Sequence, residues 1–233
     1  MMFSSDLPAS TQVFLSGLLF SAAFGLSRFS AFPSKTFDFV NRSISILHSV
    51  IAIIMCLAIV DFTRPLSRVG GEPSTPQEIS VMAVSLGYFL YDTVCCLIGS
   101  HDVVGSLHHV ATIAGLYVGI FKELCGAELI LCLLLMEVST PFMHLRVMFK
   151  ETFLKGTRIA AANEVTFGVA YIVCRVFLSS PLMYYTMAAR TKGWEHALLK
   201  AGAGGLWLIS AFWLSKILKV VMGKSRSKAA KSM

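Results

Sequence analysis

Long apolar stretches recur along the whole chain, and short polar stretches separate them. A straight helix needs about 20 residues, with a range of about 17–25, to cross the hydrocarbon core of a bilayer. Most of the apolar stretches have about this length, so the pattern predicts transmembrane helices. Seven candidate spans can be marked, at residues 10–26, 44–60, 79–98, 108–121, 128–143, 165–187 and 198–221.

The fourth span is the shortest, because its apolar stretch runs only from His108 to Phe121. It reaches a crossing length if residues 105–107 continue the same helix, or if the membrane is locally thin. A bundle of six spans with one re-entrant segment is therefore the alternative to seven spans.

Glycine and proline mark the boundaries and the weak points of the predicted helices. Residues 68–76 are rich in Gly, Pro and Ser and separate the second span from the third. The hydroxyl of Ser74 or Thr75, followed by Pro76 and by Glu78 in the first turn, is typical of a helix start.

Two prolines lie inside predicted spans, Pro141 in the fifth and Pro181 in the sixth, and each predicts a local distortion of its helix. Gly115 and Gly119 form a GxxxG pair in the fourth span. We expect this pair to bring helices close together within the bundle rather than to make a dimer.

Composition places the chain in the membrane class. Hydrophobic residues make up 55% of the chain, charged residues only 14%, and the mean hydropathy is +0.71, whereas a soluble domain carries about 25% charged residues. We therefore predict an all-α, polytopic membrane bundle of about seven helices around a central cavity. It divides into an N-terminal segment with the first span (1–34), the main membrane domain (35–221) and a basic tail (222–233).

The net charge of +7 is concentrated towards the C-terminus. The basic residues of this region are Lys216, Lys219, Lys224, Arg226, Lys228 and Lys231. Because Lys and Arg beside a span favour the cytosolic side, we predict a cytosolic C-terminus, membrane lipids as partners and no nucleic acid. In this orientation the glycosylation sequon at Asn41 faces the cytosol and stays unmodified.

Metal chemistry has little support in the sequence. Six cysteines lie mostly in apolar stretches and form no CxxC pair, so we interpret them as small hydrophobic residues. Of six histidines, only one pair is adjacent, which is too few for a di-iron site with several histidine clusters. We predict no metal; a single zinc held by His101, His108 or His109 with Asp102 is the alternative.

Three ionisable residues contradict their apolar surroundings: Asp92, Glu137 and Arg175. A charge at the centre of a span costs roughly 2.5–3.5 kcal/mol on insertion scales, whereas a leucine contributes only about 0.5 kcal/mol. These side chains must therefore face the bundle interior and be paired or neutralised. They form either an ion-pair network that fixes the register of the helices or the lining of a polar pocket, and the two interpretations are compatible.

Helical spacing extends this set, because residues three or four apart share a face. His108 and His109 each share a face with Thr112, unless the histidines are merely a polar pair at a helix start that meets water or headgroups. The residues that we predict to line a cavity or to bind lipid are Tyr88, Tyr91, Asp92, Thr112, Glu137, Thr140, His144 and Arg175.

Two segments resemble a known family. The run from His108 to Ile113, together with the aromatic and acidic run from Gly87 to Asp92, is similar to the TLC domain. The fifth span, from Leu133 to Phe142, resembles the matching helix of the smaller TLC-domain-containing proteins, and the resemblance covers residues 35–221. It implies a helical bundle with a lipid-accessible cavity, often in the endoplasmic reticulum.

In the ceramide synthases of that family the histidine pair is implicated in acyl transfer to a sphingoid amine. The resemblance would give this catalytic role to His108 and His109, with acyl-CoA as a substrate and no bound cofactor. Ceramide synthases also carry a His-Asp pair and a second Asp three residues later, where this chain has Met136, Glu137 and Thr140. We therefore predict a non-catalytic protein of lipid handling or lipid homeostasis; an acyltransferase is the first alternative and a membrane scaffold or cargo-binding protein the second.

Overall fold

The chain folds into an all-α bundle, as predicted, in a computed structural model that describes residues 7–66, 70–99 and 103–231. Side chains are described for the same residues except residue 103 and residues 220–231. The α-helices are α1 (Ala9–Leu26), α2 (Phe37–Ile59), α3 (Pro76–Gly99), α4 (Val103–Phe121), α5 (Gly126–Glu137), α6 (Thr140–Met148), α7 (Arg158–Ala170), α8 (Ser179–Ala188) and α9 (Trp194–Lys231). One π-helical segment, Ser27–Ala31, extends α1, and another, Tyr171–Leu178, joins α7 to α8.

Seven stretches of the described chain are long and apolar enough to cross a membrane. Four of them are made by the single helices α2, α3, α4 and α9. The first span is α1 with its π-helical extension, the fifth combines α5 and α6, and the sixth combines α7, the second π-helical segment and α8. The helix α4 begins at Val103, so residues 105–107 do continue it and the fourth span reaches 18 residues.

The connecting segments gather at two opposite ends of the bundle. At one end, the amide of Cys125, after α4, donates to the carbonyl of Glu72, before α3, at 2.7 Å. At the other end, the hydroxyl of Thr36, before α2, donates to the carboxylate of Glu151, after α6, at 3.0 Å. Because α4 returns to the end at which α3 starts, it runs the full length of the bundle, which favours seven spans over six.

The start of α3 follows the predicted capping pattern. The amide of Glu78 donates to Thr75 Oγ1 at 3.3 Å, and the amide of Thr75 donates to Glu78 Oε2 at 2.7 Å. This reciprocal arrangement satisfies two backbone donors at a helix start, where the amides have no partner inside the helix. Pro76, the first helical residue, has no amide hydrogen to satisfy. The cap fixes the register of the most deeply buried span.

Small residues allow α1 and α3 to cross with their backbones almost in contact. A Cβ atom on Gly87 would lie 2.5 Å from the carbonyl oxygen of Val13 and 2.7 Å from the amide nitrogen of Gly17. Ser16 donates across the same crossing to the carbonyl of Val84, at 2.8 Å. This approach anchors α1 on α3 by packing and one hydrogen bond.

The GxxxG pair of α4 packs inside the bundle, as predicted. A Cβ atom on Gly119 would lie 2.5 Å from side-chain atoms of Leu129 in α5 and Met82 in α3. On Gly115 it would lie 3.4 Å from Leu129. The two glycines therefore bring α4 against α3 and α5.

Both prolines coincide with irregular helix. The fifth span is interrupted between Glu137, where α5 ends, and Thr140, where α6 begins, and Pro141 is the second residue of α6. A proline removes one helical hydrogen bond and its ring displaces the preceding turn. In the sixth span the π-helical segment ends at Leu178, just before Pro181.

Candidate functional site

A cleft of about 100 Å³ lies between α4, α5, α8 and α9. This is several times the space of roughly 10–15 Å³ that one water molecule needs. Its lining runs from Cys125, just before α5, to Glu137. The nine helical steps from Glu128 to Glu137, at 1.5 Å each, span about 14 Å. The walls between these acids are formed mainly by apolar or small residues, including Leu129, Leu133 and Gly202. The cleft is therefore an apolar slot with a carboxylate near each end.

Glu128 closes one end of the cleft. Thr186 of α8 donates its hydroxyl to Glu128 Oε1 at 2.7 Å, and the amide of Gly71 donates to Oε2 at 3.0 Å. Both oxygens of this carboxylate thus have a donor. The loop before α3, the helix α5 and the helix α8 are tied together at this point.

The other end of the cleft holds His108 and Glu137, two of the predicted site residues. Glu137 is 4% exposed, and its Oε2 atom has no hydrogen-bond donor among the residues that the structure describes. The imidazole of His108 lies against Trp213 of α9, with the ring centroids 6.1 Å apart. Thr112 also lines the cleft, but its hydroxyl donates to the carbonyl of His108, at 2.9 Å. Glu137 Oε2 is therefore a buried acceptor that still lacks a partner.

Arg175 supplies the positive charge behind Glu137. Its guanidinium is 4% exposed and donates to Ser139 Oγ at 2.9 Å, to the carbonyl of Met136 at 2.6 Å and to Thr140 Oγ1 at 3.2 Å. It also interacts electrostatically with Glu137. The break between α5 and α6 makes this possible, because it leaves the Met136 carbonyl accessible to a side chain of the sixth span.

A second polar network joins α2, α3 and α4. Asn41 donates its amide to Asp92 Oδ1 at 2.7 Å and accepts the hydroxyl of Tyr91 at 2.8 Å. His109 Nε2 lies 3.4 Å from Asp92 Oδ2, and His109 Nδ1 lies 3.3 Å from Thr93 Oγ1. Asp92 is only 6% exposed. The network therefore holds a buried carboxylate and an imidazole in fixed orientations.

In the structure, the residues that we predicted to line one cavity lie in separate groups. His108, Thr112 and Glu137 line the cleft; Thr140 and Arg175 lie behind it; Tyr91, Asp92 and His109 form the second network. Tyr88 adjoins the second network through Asp92 and stacks on the buried His48, with ring centroids 3.7 Å apart. His144 lies near Arg42, with 3.3 Å between Nδ1 and the guanidinium. His101 and Asp102, named for the zinc alternative, lie outside the described residues.

Comparison with known proteins identifies the architecture. The model of the TLC domain matches residues 38–219. The chain belongs to the TLC-domain family. The matched segment covers nearly all of α2 through the membrane part of α9, so the predicted family resemblance is confirmed, and α1 precedes it.

Curated relatives carry the same domain. TLC domain-containing protein 4-B of Danio rerio is 26% identical over 226 residues, which cover 86% of this chain and 81% of the relative. TLC domain-containing protein 1 of Homo sapiens is 29% identical over 168 residues, covering 66% of this chain and 62% of the relative. The mouse protein of the same name is 27% identical over 159 residues.

Three residues of this TLC-domain protein escaped the sequence reasoning. The sequence marks Asn41 only as a sequon and Glu128 only as the start of a span, and Ser139 is not among the predicted site residues. Each one binds a partner far away in sequence, at separations of 51, 58 and 36 residues. One signal was available for Glu128, because an acid in an apolar stretch requires a partner.

Proposed function

We propose that this TLC-domain protein binds the acyl chain of a membrane lipid in the cleft between α4, α5, α8 and α9, and that it serves lipid handling or lipid homeostasis without catalysis. The apolar walls suit a hydrocarbon chain, and the two ends are polar. Ligand sites in proteins commonly combine a mainly apolar lining with a few placed polar groups. The proposed location is the endoplasmic reticulum membrane, with the basic C-terminus in the cytosol.

The unpartnered oxygen of Glu137 carries the proposal. A buried acceptor without a donor costs about 1–3 kcal/mol, and more when it is charged. A lipid with a hydroxyl or amine group beside its acyl chain would supply the donor, while the chain fills the slot towards Glu128. The bound lipid would thus complete the hydrogen bonding of the site.

Photo-crosslinking of matched glycine variants tests this proposal. Gly202 lines the cleft, and a side chain added there meets only the Ala111 carbonyl at 3.9 Å, so Gly202→Leu fills the slot without a backbone clash. Gly205 lies three residues along the same helix, and a Cβ atom there meets nothing within 4 Å. Gly205→Leu is therefore the matched control for the added bulk.

Cells are fed a fatty acid that carries a diazirine and an alkyne, and the purified full chain is scored for label. Wild type and Gly202→Leu are compared with Gly205→Leu at equal expression. We expect Gly202→Leu to lose most of the label and Gly205→Leu to keep it, with labelled peptides from α5 and α9. Equal labelling of all three forms would show that the cleft is not the lipid site.

An acyltransferase is the second candidate, because His108 reaches the cleft while the adjacent His109 pairs with Asp92. An imidazole oriented by a carboxylate is a suitable general base. Against it stand Met136 and Thr140, at the positions where ceramide synthases carry a histidine and an aspartate.

Purified wild type and the double variant His108→Ala/His109→Ala are incubated with acyl-CoA and a sphingoid base. We expect no transfer by either form; transfer by wild type alone would establish the enzyme.

A further inference from the structure

One side-chain cluster outside the cleft has the composition of a metal site. Asp92, Cys96 and His109 each offer a ligand atom, and these atoms all lie within 4.8 Å of one another. Asp92 and Cys96 are four residues apart on α3, and His109 faces them from α4. This set shares only His109 with the zinc alternative considered from the sequence. A carboxylate, a thiolate and an imidazole are all established ligands of Zn²⁺.

The contact between His109 and Asp92 places a ring nitrogen opposite a carboxylate oxygen, 3.4 Å away. Thr93 donates its only hydroxyl hydrogen to the carbonyl of Phe89, at 2.6 Å. Its oxygen therefore accepts from His109 Nδ1, which must carry the proton. In the neutral imidazole Nε2 then presents a lone pair to Asp92 Oδ2, 3.4 Å away. This pair of atoms can share a proton or bind one metal ion.

Neighbouring residues orient the side chains of Asp92 and His109, as the residues around metal ligands commonly do. Asn41 holds Asp92 Oδ1 and is itself held by Tyr91, so Oδ2 is the oxygen that faces the cluster. Thr93 holds His109 through the ring nitrogen remote from the cluster. Partners that fix the tautomer of a histidine ligand and the rotation of a carboxylate ligand are characteristic of metal sites.

Charge and position also favour a divalent ion over a proton. One Zn²⁺ balances one carboxylate and one thiolate, so the loaded cluster is neutral, as a buried position between spans requires. Cys96 lies three residues before the end of α3, about 5 Å from that end.

We propose that Asp92, Cys96 and His109 bind one Zn²⁺ ion, with a fourth position left for water or another ligand. Tetrahedral zinc with bonds of about 2.0–2.3 Å places its ligand atoms about 3.3–3.6 Å apart. The imidazole and the carboxylate already have this separation. The ligand atoms lie within 4.8 Å of one another, so the thiolate of Cys96 needs to approach by no more than about 1.5 Å. This inference does not depend on lipid binding in the cleft.

Cobalt substitution tests the site in the full chain, purified in detergent without chelator. Co²⁺ at a thiolate site gives ligand-field bands in the visible range and a sulfur-to-cobalt charge-transfer band in the near ultraviolet. Cys96→Ser removes the proposed ligand, and Cys95→Ser makes the same change one residue away. We expect one Co²⁺ per chain in wild type and in Cys95→Ser, and loss of the charge-transfer band in Cys96→Ser. We expect His109→Gln to weaken Co²⁺ binding by at least about tenfold.

Alkylation of the wild-type chain gives a readout that needs no variant to fold. Zn²⁺ should protect Cys96 from N-ethylmaleimide, and a chelator should restore labelling at that residue, as mass spectrometry of the peptides would show. If wild type binds neither Zn²⁺ nor Co²⁺, a proton bridges His109 and Asp92 and the proposal is wrong. It is equally wrong if Cys96→Ser keeps the charge-transfer band. Lipid crosslinking at the cleft is scored separately, so failure of one proposal leaves the other testable.

Discussion

Replacement of Arg175 by methionine should destabilise the bundle more than any exposed substitution. The guanidinium makes hydrogen bonds to Ser139, Thr140 and the Met136 carbonyl and lies 5.4 Å over the ring of Tyr171. Methionine fills a similar volume but leaves these acceptors and the Glu137 carboxylate without their cation. Each buried acceptor that loses its donor costs about 1–3 kcal/mol. We expect the free energy of unfolding of Arg175→Met to fall by at least this amount.

A double-mutant cycle separates the electrostatic interaction between Arg175 and Glu137 from the other contacts of Arg175. Glu137→Gln removes the negative charge with little change of shape, so Arg175→Met should cost less in that background. A coupling free energy within the range of about 0.5–3 kcal/mol is expected for residues in one network. The measurement is reversible unfolding in mixed micelles, with helicity followed by circular dichroism. Arg190→Met is the control, because Arg190 is exposed in the loop before α9 and should change stability by less than about 0.5 kcal/mol.

Two results would refute this reasoning. If Arg175→Met lowers stability by no more than Arg190→Met does, the guanidinium contributes no net stabilisation. If the cost is the same with Gln as with Glu at position 137, the electrostatic interaction between the two residues is negligible, and the hydrogen bonds alone account for the loss.

Three further predictions concern the helix contacts and the sequon. Gly87→Leu should unfold at a lower temperature than wild type, because its Cβ atom would overlap the α1 backbone, whereas Gly25→Leu, with nothing within 4 Å, should not. Thr75→Ala should lower the free energy of unfolding by about 1 kcal/mol through loss of the α3 cap, and Thr75→Ser should retain it. Asn41 should carry no glycan, because its side-chain amide donates a hydrogen bond to Asp92. Treatment with a glycosidase should therefore leave the electrophoretic mobility of the chain unchanged. A mobility shift would contradict both the predicted orientation and the hydrogen bond.

The helices were largely predictable because their signals are local. A capping sequence at Thr75, a proline at 141 and an apolar stretch of the right length each act within a few residues. The fourth span was the exception in length, because Gly105 and Ser106 are poor markers of a membrane helix although they continue α4. Burial of Asp92, Glu137 and Arg175 followed from the cost of charge in lipid, and the structure confirms it.

The pairing of these residues was not predictable, because it depends on how helices distant in sequence rotate against one another. Periodicity shows which residues share a face of one helix, but not which neighbour that face meets. Asp92 and Arg175 therefore looked like partners in one chamber, whereas Asp92 pairs with Asn41 and Arg175 with the break in the fifth span. The close crossing of α1 and α3 at Gly17 and Gly87 was not predictable for the same reason, because a single glycine in a sequence does not indicate which other backbone it contacts.

The interruption between α5 and α6 makes Pro141 and Arg175 dependent on each other although they are distant in sequence. If a related chain lost Pro141 and its fifth span became a continuous helix, the Met136 carbonyl would no longer accept a hydrogen bond from Arg175, and the buried guanidinium would lack this partner. If a related chain lost Arg175 instead, the interruption of the fifth span would remain without the side chain that binds it. The two positions should therefore drift together during divergence, and an aligned set of orthologues should reveal them as a covarying pair.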